Sequence, residues 1–189
     1  MAEKTLFSAY DIDFSPISES DYPSLSEFTC GVSEIDDVFH DEIELCARYH
    51  YLTPYKCTLV ATGEIVGLFT LANDVLTLEF EDRIDFPNLH PDYCDIFRRQ
   101  PTYPAINIGH LAVRSDMQSK GIGRLIVEFV AATFSQINIS GCQFLTVDAI
   151  NTPRTRSFYY DKIGMEFQTI SDISGHTRRM YLDIFTQPI

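Results

Sequence analysis

A chain of 189 residues, 45% hydrophobic and 22% charged, has the size and make-up of one globular domain with its own core. Its five cysteines, Cys30, Cys46, Cys57, Cys94 and Cys142, are widely spaced and contain no C-x-x-C pair, which argues against a disulfide framework or a zinc site. A net charge of −13 sets a nucleic-acid partner at a long-range disadvantage. The charge is uneven. Residues 1–105 carry 20 acidic and 6 basic side chains, whereas residues 106–189 carry 7 and 8. The opening MAEKTLFSAYDIDF lacks a basic start followed by an apolar run, and no apolar stretch is long enough to span a bilayer. A cytoplasmic protein with no membrane partner is expected.

Along the chain, SEIDDVFHDEIELCARYHYL predicts the first clear helix, with Ser33 as N-cap and Ile35, Val38, Phe39, Ile43, Cys46 and Ala47 on its apolar face. YKCTLVA and IVGLFTLANDVL, separated by Thr62-Gly63-Glu64, predict a strand hairpin. Residues 79–104 form an irregular, acidic insert broken by Pro87, Pro91, Pro101 and Pro104, within which PDYCDIFRRQ can make a short helix. AINIGHLAV predicts a strand and LIVEFVAATFSQINI a helix. CQFLTVDAI is another strand, PRTRSFYYDKIG a helix, and MEFQTI and RRMYLDIF are closing strands. This order implies an α/β domain with a mixed sheet.

Between the AINIGHLAV strand and its helix lies MQSKGIGR, a glycine-bearing loop of the kind that cradles phosphate. It is not a dinucleotide fingerprint, because Ile126 stands where the third glycine belongs and the seven residues Arg114 to Lys120 separate strand from glycines. It is not a P-loop either, since Gly123 is followed by Arg124-Leu125. What remains is Q-x-x-G-x-G at Gln118, Gly121 and Gly123, after a strand ending Leu111-Ala112-Val113. Here the sequence resembles the GNAT superfamily of acyl-CoA N-acetyltransferases, in which such a loop wraps the pyrophosphate of coenzyme A. FLTVDAIN followed by FYYDKIGMEF resembles the family's next strand and its F-Y-x-x-x-G-F pattern, with Met165 in place of the usual aromatic. FTCGVSEIDDVF and YPAINIGHLAV resemble the branch that includes acetyltransferase toxins acting on aminoacyl-tRNA.

The resemblance implies one acetyltransferase domain over 1–189, with an N-terminal segment (1–24) and an acyl-CoA-binding core (105–170). It implies a mixed, mostly antiparallel sheet of about six or seven strands flanked by helices, with a splayed parallel pair holding acyl-CoA. Acetyl-CoA is the implied co-substrate, with no metal. Gln118, Ser119, Lys120, Gly121, Ile122, Gly123 and Arg124 would surround its pyrophosphate. Leu111, Ala112 and Val113 would run beside the pantetheine arm, and Asn151 would reach its far end.

The chemistry requires an exit for the amine proton, a donor to the developing oxyanion and a proton for the departing thiolate. The resemblance implies direct transfer in a ternary complex, with a tyrosine protonating the sulfur. Counting four residues back from Gly164 gives Tyr160, while counting forward from Val147-Asp148-Ala149 gives Tyr159, because the chain carries one extra residue between. Neighbours on a helix point about 100° apart, so the two cannot share the role, and Tyr160 is preferred. His110 is a candidate base on the cofactor strand, on the face of Ile108 and Ala112, although a lone histidine in an apolar strand is more often a core residue. Asp74 can instead bind an amine. Cys46 and His50, four apart on a helix and without further ligands, read as packing.

Three functions fit: an N-acetyltransferase for a small or protein amine, a toxin-like transferase for the amine of charged tRNA, and a non-catalytic acyl-CoA sensor. The charge favours the first and sets nucleic acid aside apart from the tRNA alternative. The acceptor, a homodimer and an antitoxin partner are left open by the sequence.

Overall fold

The computed structural model describes residues 6–79, 91–136, 140–169 and 174–185. Seven strands form a mixed sheet flanked by helices, in the order β1-β2-β3-β4-β5-β7-β6. They are β1 (Ile12–Pro16), β2 (Thr53–Leu59), β3 (Ile65–Thr77), β4 (Thr102–Val113), β5 (Phe144–Ile150), β6 (Glu166–Phe167) and β7 (Thr177–Asp183). β4 and β5 run parallel. β1/β2, β2/β3, β5/β7 and β6/β7 are antiparallel. The mixed sheet flanked by helices, with one parallel pair, that the sequence led one to expect is therefore present. No helix among the described residues is long and apolar enough to cross a membrane.

The chain divides into two compact units, Met1–Ala72 with Ile108–Val130, and Asn73–Asn107 with Ala131–Ile189. In the first, α1 (Tyr22–Leu25), α2 (Ser33–Asp37), a π-helical turn (Val38–Glu42) and α3 (Ile43–Arg48) form consecutive helical segments. Their apolar residues Leu25, Phe39 and Ile43 are buried in one core with Phe28, Leu52, Leu68 and Ala112. Burying each large side chain there contributes about 2–3 kcal/mol, before chain entropy is counted. β3 also turns Phe69 the other way, where it stacks on Tyr55 with centroids 5.0 Å apart. Phe14 stacks on Phe129 at 4.5 Å in the same unit.

Ser33 is not the expected N-cap. It is the first residue of α2, and the cap position falls to Val32, which has no capping side chain. Asp36 serves the segment instead, accepting the backbone N–H of Cys30 at 2.8 Å and the Thr29 hydroxyl at 2.6 Å. Burial pushes its pKa up, but those hydrogen bonds outweigh burial and hold the carboxyl below its ordinary value.

In the second unit, α4 (Pro91–Arg99) lays Phe97 on Tyr103, ring centroids 4.3 Å apart, over a core with Leu76, Leu78, Ala105, Phe144 and Tyr181. The last helix begins as α6 (Pro153–Arg156), with Thr152 accepting the Thr155 N–H as N-cap. It continues as a π-helical turn (Ser157–Ile163) and stops at left-handed Gly164, φ 86°.

Candidate active site

The glycine loop belongs to the first unit. β4 ends at Val113, a 3-10 turn (Ser115–Met117) follows, and the fifteen-residue helix α5 (Ile122–Gln136) begins directly after the loop. Two positions between them take left-handed backbone, Ser119 (φ 60°) and Gly121 (φ 92°). Glycine suits the second because any side chain there is strained. The loop is braced by Gln118, whose side-chain amide donates to the carbonyl oxygens of Cys30 (2.7 Å) and Val113 (3.0 Å). Ser115 donates both its backbone N–H (2.9 Å) and its hydroxyl (3.0 Å) to the Thr29 carbonyl, so the same turn is fastened twice to residues 29–30.

This bracing leaves the loop's donors unused. Among the described residues, the backbone N–H groups of Ser119, Lys120, Gly121, Ile122, Gly123 and Arg124 make no hydrogen bond within the chain. Leu125 is the first to bond back, to the Gly121 carbonyl at 3.1 Å. Free amides at the start of a fifteen-residue helix, with its partial positive charge, make an anion cradle. Lys120 lies within the loop and forms no ion pair among the described residues. Arg124 is exposed and paired with Glu128 at 2.6 Å. These groups suit a diphosphate. The loop is also touched by the N-terminal segment, where the Phe7 N–H donates to the Lys120 carbonyl at 3.0 Å.

The remaining candidates of this unit differ in what they offer. Leu111 and Val113 are half-buried, whereas the side chain of Ala112 is buried in the core. His110 is half-buried, edge-on to Phe39 with centroids 6.2 Å apart. Thr70 Oγ1 accepts its backbone N–H at 3.0 Å and lies 3.3 Å from Nδ1. Burial lowers its pKa from the ordinary 6.5, against a smaller upward pull from Glu42 and Glu34. These contacts are those of a packed histidine. Cys46 likewise packs against the core, and His50 is exposed with φ 56°.

The tyrosines belong to the second unit. Tyr159 is buried, and burial drives its phenol pKa up. Tyr160 is 53% exposed, and its hydroxyl has no hydrogen-bond partner among the described residues. The two counts disagree by one residue, and a π-helical turn lies between their starting points. A π turn takes one extra residue without ending the helix, and both counts pass through it, so exposure rather than spacing distinguishes the two tyrosines. The Tyr160 ring stacks on Phe167, centroids 5.5 Å and planes 19° apart. The guanidinium carbon of Arg178 lies 3.7 Å from the centroid of that same Phe167 ring. Neither Phe167 nor Arg178 has a motif that marks it in the sequence.

Asn151 is half-buried and gives its amide to the Gly175 carbonyl at 3.0 Å. Asp74 is already engaged, ion-paired with Arg179 and accepting the Thr146 hydroxyl, while Arg179 also holds Asp148 at 2.9 Å. Of the acidic insert, Glu81, Asp82 and Asp85 lie outside the described residues.

No protein-family model and no curated protein matches the sequence. Solved structures do match its fold. A tyrosine-to-phenylalanine mutant of KacT aligns with TM-score 0.70 at 16% identity, covering 92% of this chain and 95% of that one. AtaT complexed with acetyl-methionyl-tRNAfMet aligns with TM-score 0.70 at 17% identity, over 92% and 95%. A tyrosine-to-phenylalanine mutant of the AtaT toxin, bound to the C-terminus of the antitoxin AtaR and acetyl-CoA, aligns with TM-score 0.67 at 16% identity, over 92% and 94%. With its mixed sheet and strand–loop–helix Q-x-x-G-x-G segment, the chain has the GNAT-like fold shared by these structures.

Proposed function

We propose that the chain is an N-acetyltransferase that uses acetyl-CoA and acetylates the amine of an aminoacyl-tRNA. The observation that carries the enzyme reading is the run of six unbonded backbone N–H groups from Ser119 to Arg124. Likeness of fold to AtaT and KacT over nine-tenths of the chain supports the tRNA acceptor.

Acetyl-CoA supplies a thioester carbonyl activated toward amines. In this reading the amides of residues 119–124 and Lys120 bind the diphosphate, and the backbone of Leu111–Val113 aligns the pantetheine arm. Tyr160 donates its phenolic proton to the leaving sulfur as the carbon–sulfur bond breaks and the carbon–nitrogen bond forms. The proton lost by the amine leaves to solvent, and Tyr160 is reprotonated from solvent. Tyr160 is suited to this by its exposure and free hydroxyl, Tyr159 is not. His110 is left as a core residue.

A second reading keeps the same chemistry and replaces tRNA by a small cationic amine. The net charge of −13 favours it, since that field attracts cations and repels polyphosphate. Incubating the protein with radiolabelled acetyl-CoA and either pooled aminoacyl-tRNAs, polyamines or free amino acids decides between them. Label in the tRNA pool alone supports the first reading, and label in polyamines alone overturns it. No transfer to any of them, with acetyl-CoA bound, leaves the sensor.

A further inference from the structure

We infer that Phe167 and Arg178 are positioning residues for Tyr160, holding its ring so that the phenolic O–H is presented in one orientation. This rests on the proposed role of Tyr160, yet the stack itself can be tested without that role. An exposed tyrosine on a helix ordinarily samples several rotamers, and a proton donor that wanders loses the advantage of being placed. Tyr160 is exposed without being unconstrained, because one face of its ring lies nearly parallel to Phe167.

Phe167 is one of the two residues of β6, a strand paired only with β7. So short an edge strand cannot by itself hold a ring firmly. The anchor is Arg178 on β7. Its side chain is more than nine-tenths buried, its Nη2 donates to the Thr169 carbonyl at 3.1 Å, and its guanidinium rests on the Phe167 ring. Among the described residues it has no carboxylate partner. The planar guanidinium laid on the ring is a contact that only an arginine makes, since a lysine ammonium offers no plane. The order of support thus runs from Arg178 to Phe167 to Tyr160, using two bonding modes, cation–π and stacking.

Phe167→Leu removes the stacking plane at a half-buried edge position, where the fold tolerates it, and Arg178→Lys keeps the charge while losing the planar contact. With pooled aminoacyl-tRNAs or polyamines as acceptor, whichever is acetylated, Phe167→Leu should lower kcat at least tenfold with the acetyl-CoA KM unchanged, and Phe167→Tyr should restore it. In a Tyr160→Phe background, Phe167→Leu should have no further effect, because it acts through the phenol alone. A merely structural role would lower melting temperature, shift both KM values and add to Tyr160→Phe. If Tyr160→Phe itself leaves kcat intact, the acid assignment fails rather than the stack. The stack is then decided by the tyrosine 13Cζ resonance that disappears in Tyr160→Phe. It should be sharp in the parent and broadened or moved in both Phe167→Leu and Arg178→Lys. An unchanged resonance in both variants overturns the inference.

Discussion

Gln118 donates its side-chain amide to the backbone carbonyl of Cys30, 2.7 Å away across 88 residues of sequence. A second bond from the same nitrogen reaches Val113 at 3.0 Å, so one side chain ties the loop to its own strand and to the segment before α2. The glutamine of Q-x-x-G-x-G therefore shapes the cradle by bracing it. Gln118→Met keeps the length and removes both donors, each worth about 1 kcal/mol. Coenzyme A affinity should fall about tenfold, roughly the loss of one such bond. Calorimetry on the variant checks this. Unchanged affinity would mean that the loop holds its shape without the brace.

Gly121 has φ 92°, and a side chain there would find room, since the nearest atom to an added Cβ is the Phe7 oxygen at 3.6 Å. The cost of substitution is thus in the backbone and in the charge. Gly121→Ala should cost about 1–2 kcal/mol of stability through left-handed strain. Gly121→Glu adds a negative charge where diphosphate belongs, and coenzyme A binding should be abolished while the far-ultraviolet circular dichroism spectrum is kept. Equal affinities for the two variants, measured by calorimetry, would remove the diphosphate from the loop.

Much of this was legible in the chain because the signals were local. Glycines at Gly121 and Gly123, alternation in AINIGHLAV and the Thr62-Gly63-Glu64 turn each report on their own neighbourhood. What the sequence hid depends on distant partners. β1 (Ile12–Pro16) went unread because its residues pair with β2 39 to 47 positions away, Phe14 opposite Cys57, and nothing local marks IDFSP as a strand. Ser33 looked like a cap, yet the acceptor that matters is Asp36, facing back to Cys30. The π turn after Arg156 was visible only as one residue too many. The contacts of Phe167 with Tyr160 and with Arg178 appear only once two strands bring these distant residues together.

Tyr159 and Tyr160 should separate cleanly by kinetics. Tyr160→Phe removes the proton for the leaving sulfur and should lower kcat by about 100-fold or more, with the acetyl-CoA KM little changed. Tyr159→Phe deletes a hydroxyl from a buried ring and should change kcat less than about threefold. The reverse order, in steady-state rates of the two variants, would move the acid to Tyr159.

His110 gives a stability prediction with a definite sign. Burial lowers its pKa below the ordinary 6.5, so the unfolded chain takes up a proton more readily than the folded one. The contribution is present above pH 6.5 and is lost as pH falls through the lowered value. His110→Gln removes the titration and keeps a group able to meet Thr70. Between about pH 7 and about pH 5 the parent melting temperature should therefore fall more steeply than the variant's. Parallel curves over that interval would show that His110 keeps its ordinary value when folded.

The acceptor question can be put to the acidic insert with opposite signs for the two readings. Glu81, Asp82 and Asp85 stand against Arg83 in the acidic insert, and an acceptor docking beside them would feel their field. Neutralising the three carboxylates to amides raises the local potential. A polyamine acceptor would then be attracted less, and its KM should rise, most at low salt. A tRNA acceptor would be repelled less, and its KM should fall, with the same salt dependence. The acetyl-CoA KM should stay constant in both cases, because its cradle is the loop at 119–124. Steady-state KM values at about 20 mM and about 200 mM salt read the sign directly. An acceptor KM that ignores both the substitution and the salt would make these carboxylates a solvated surface with no part in choosing the substrate.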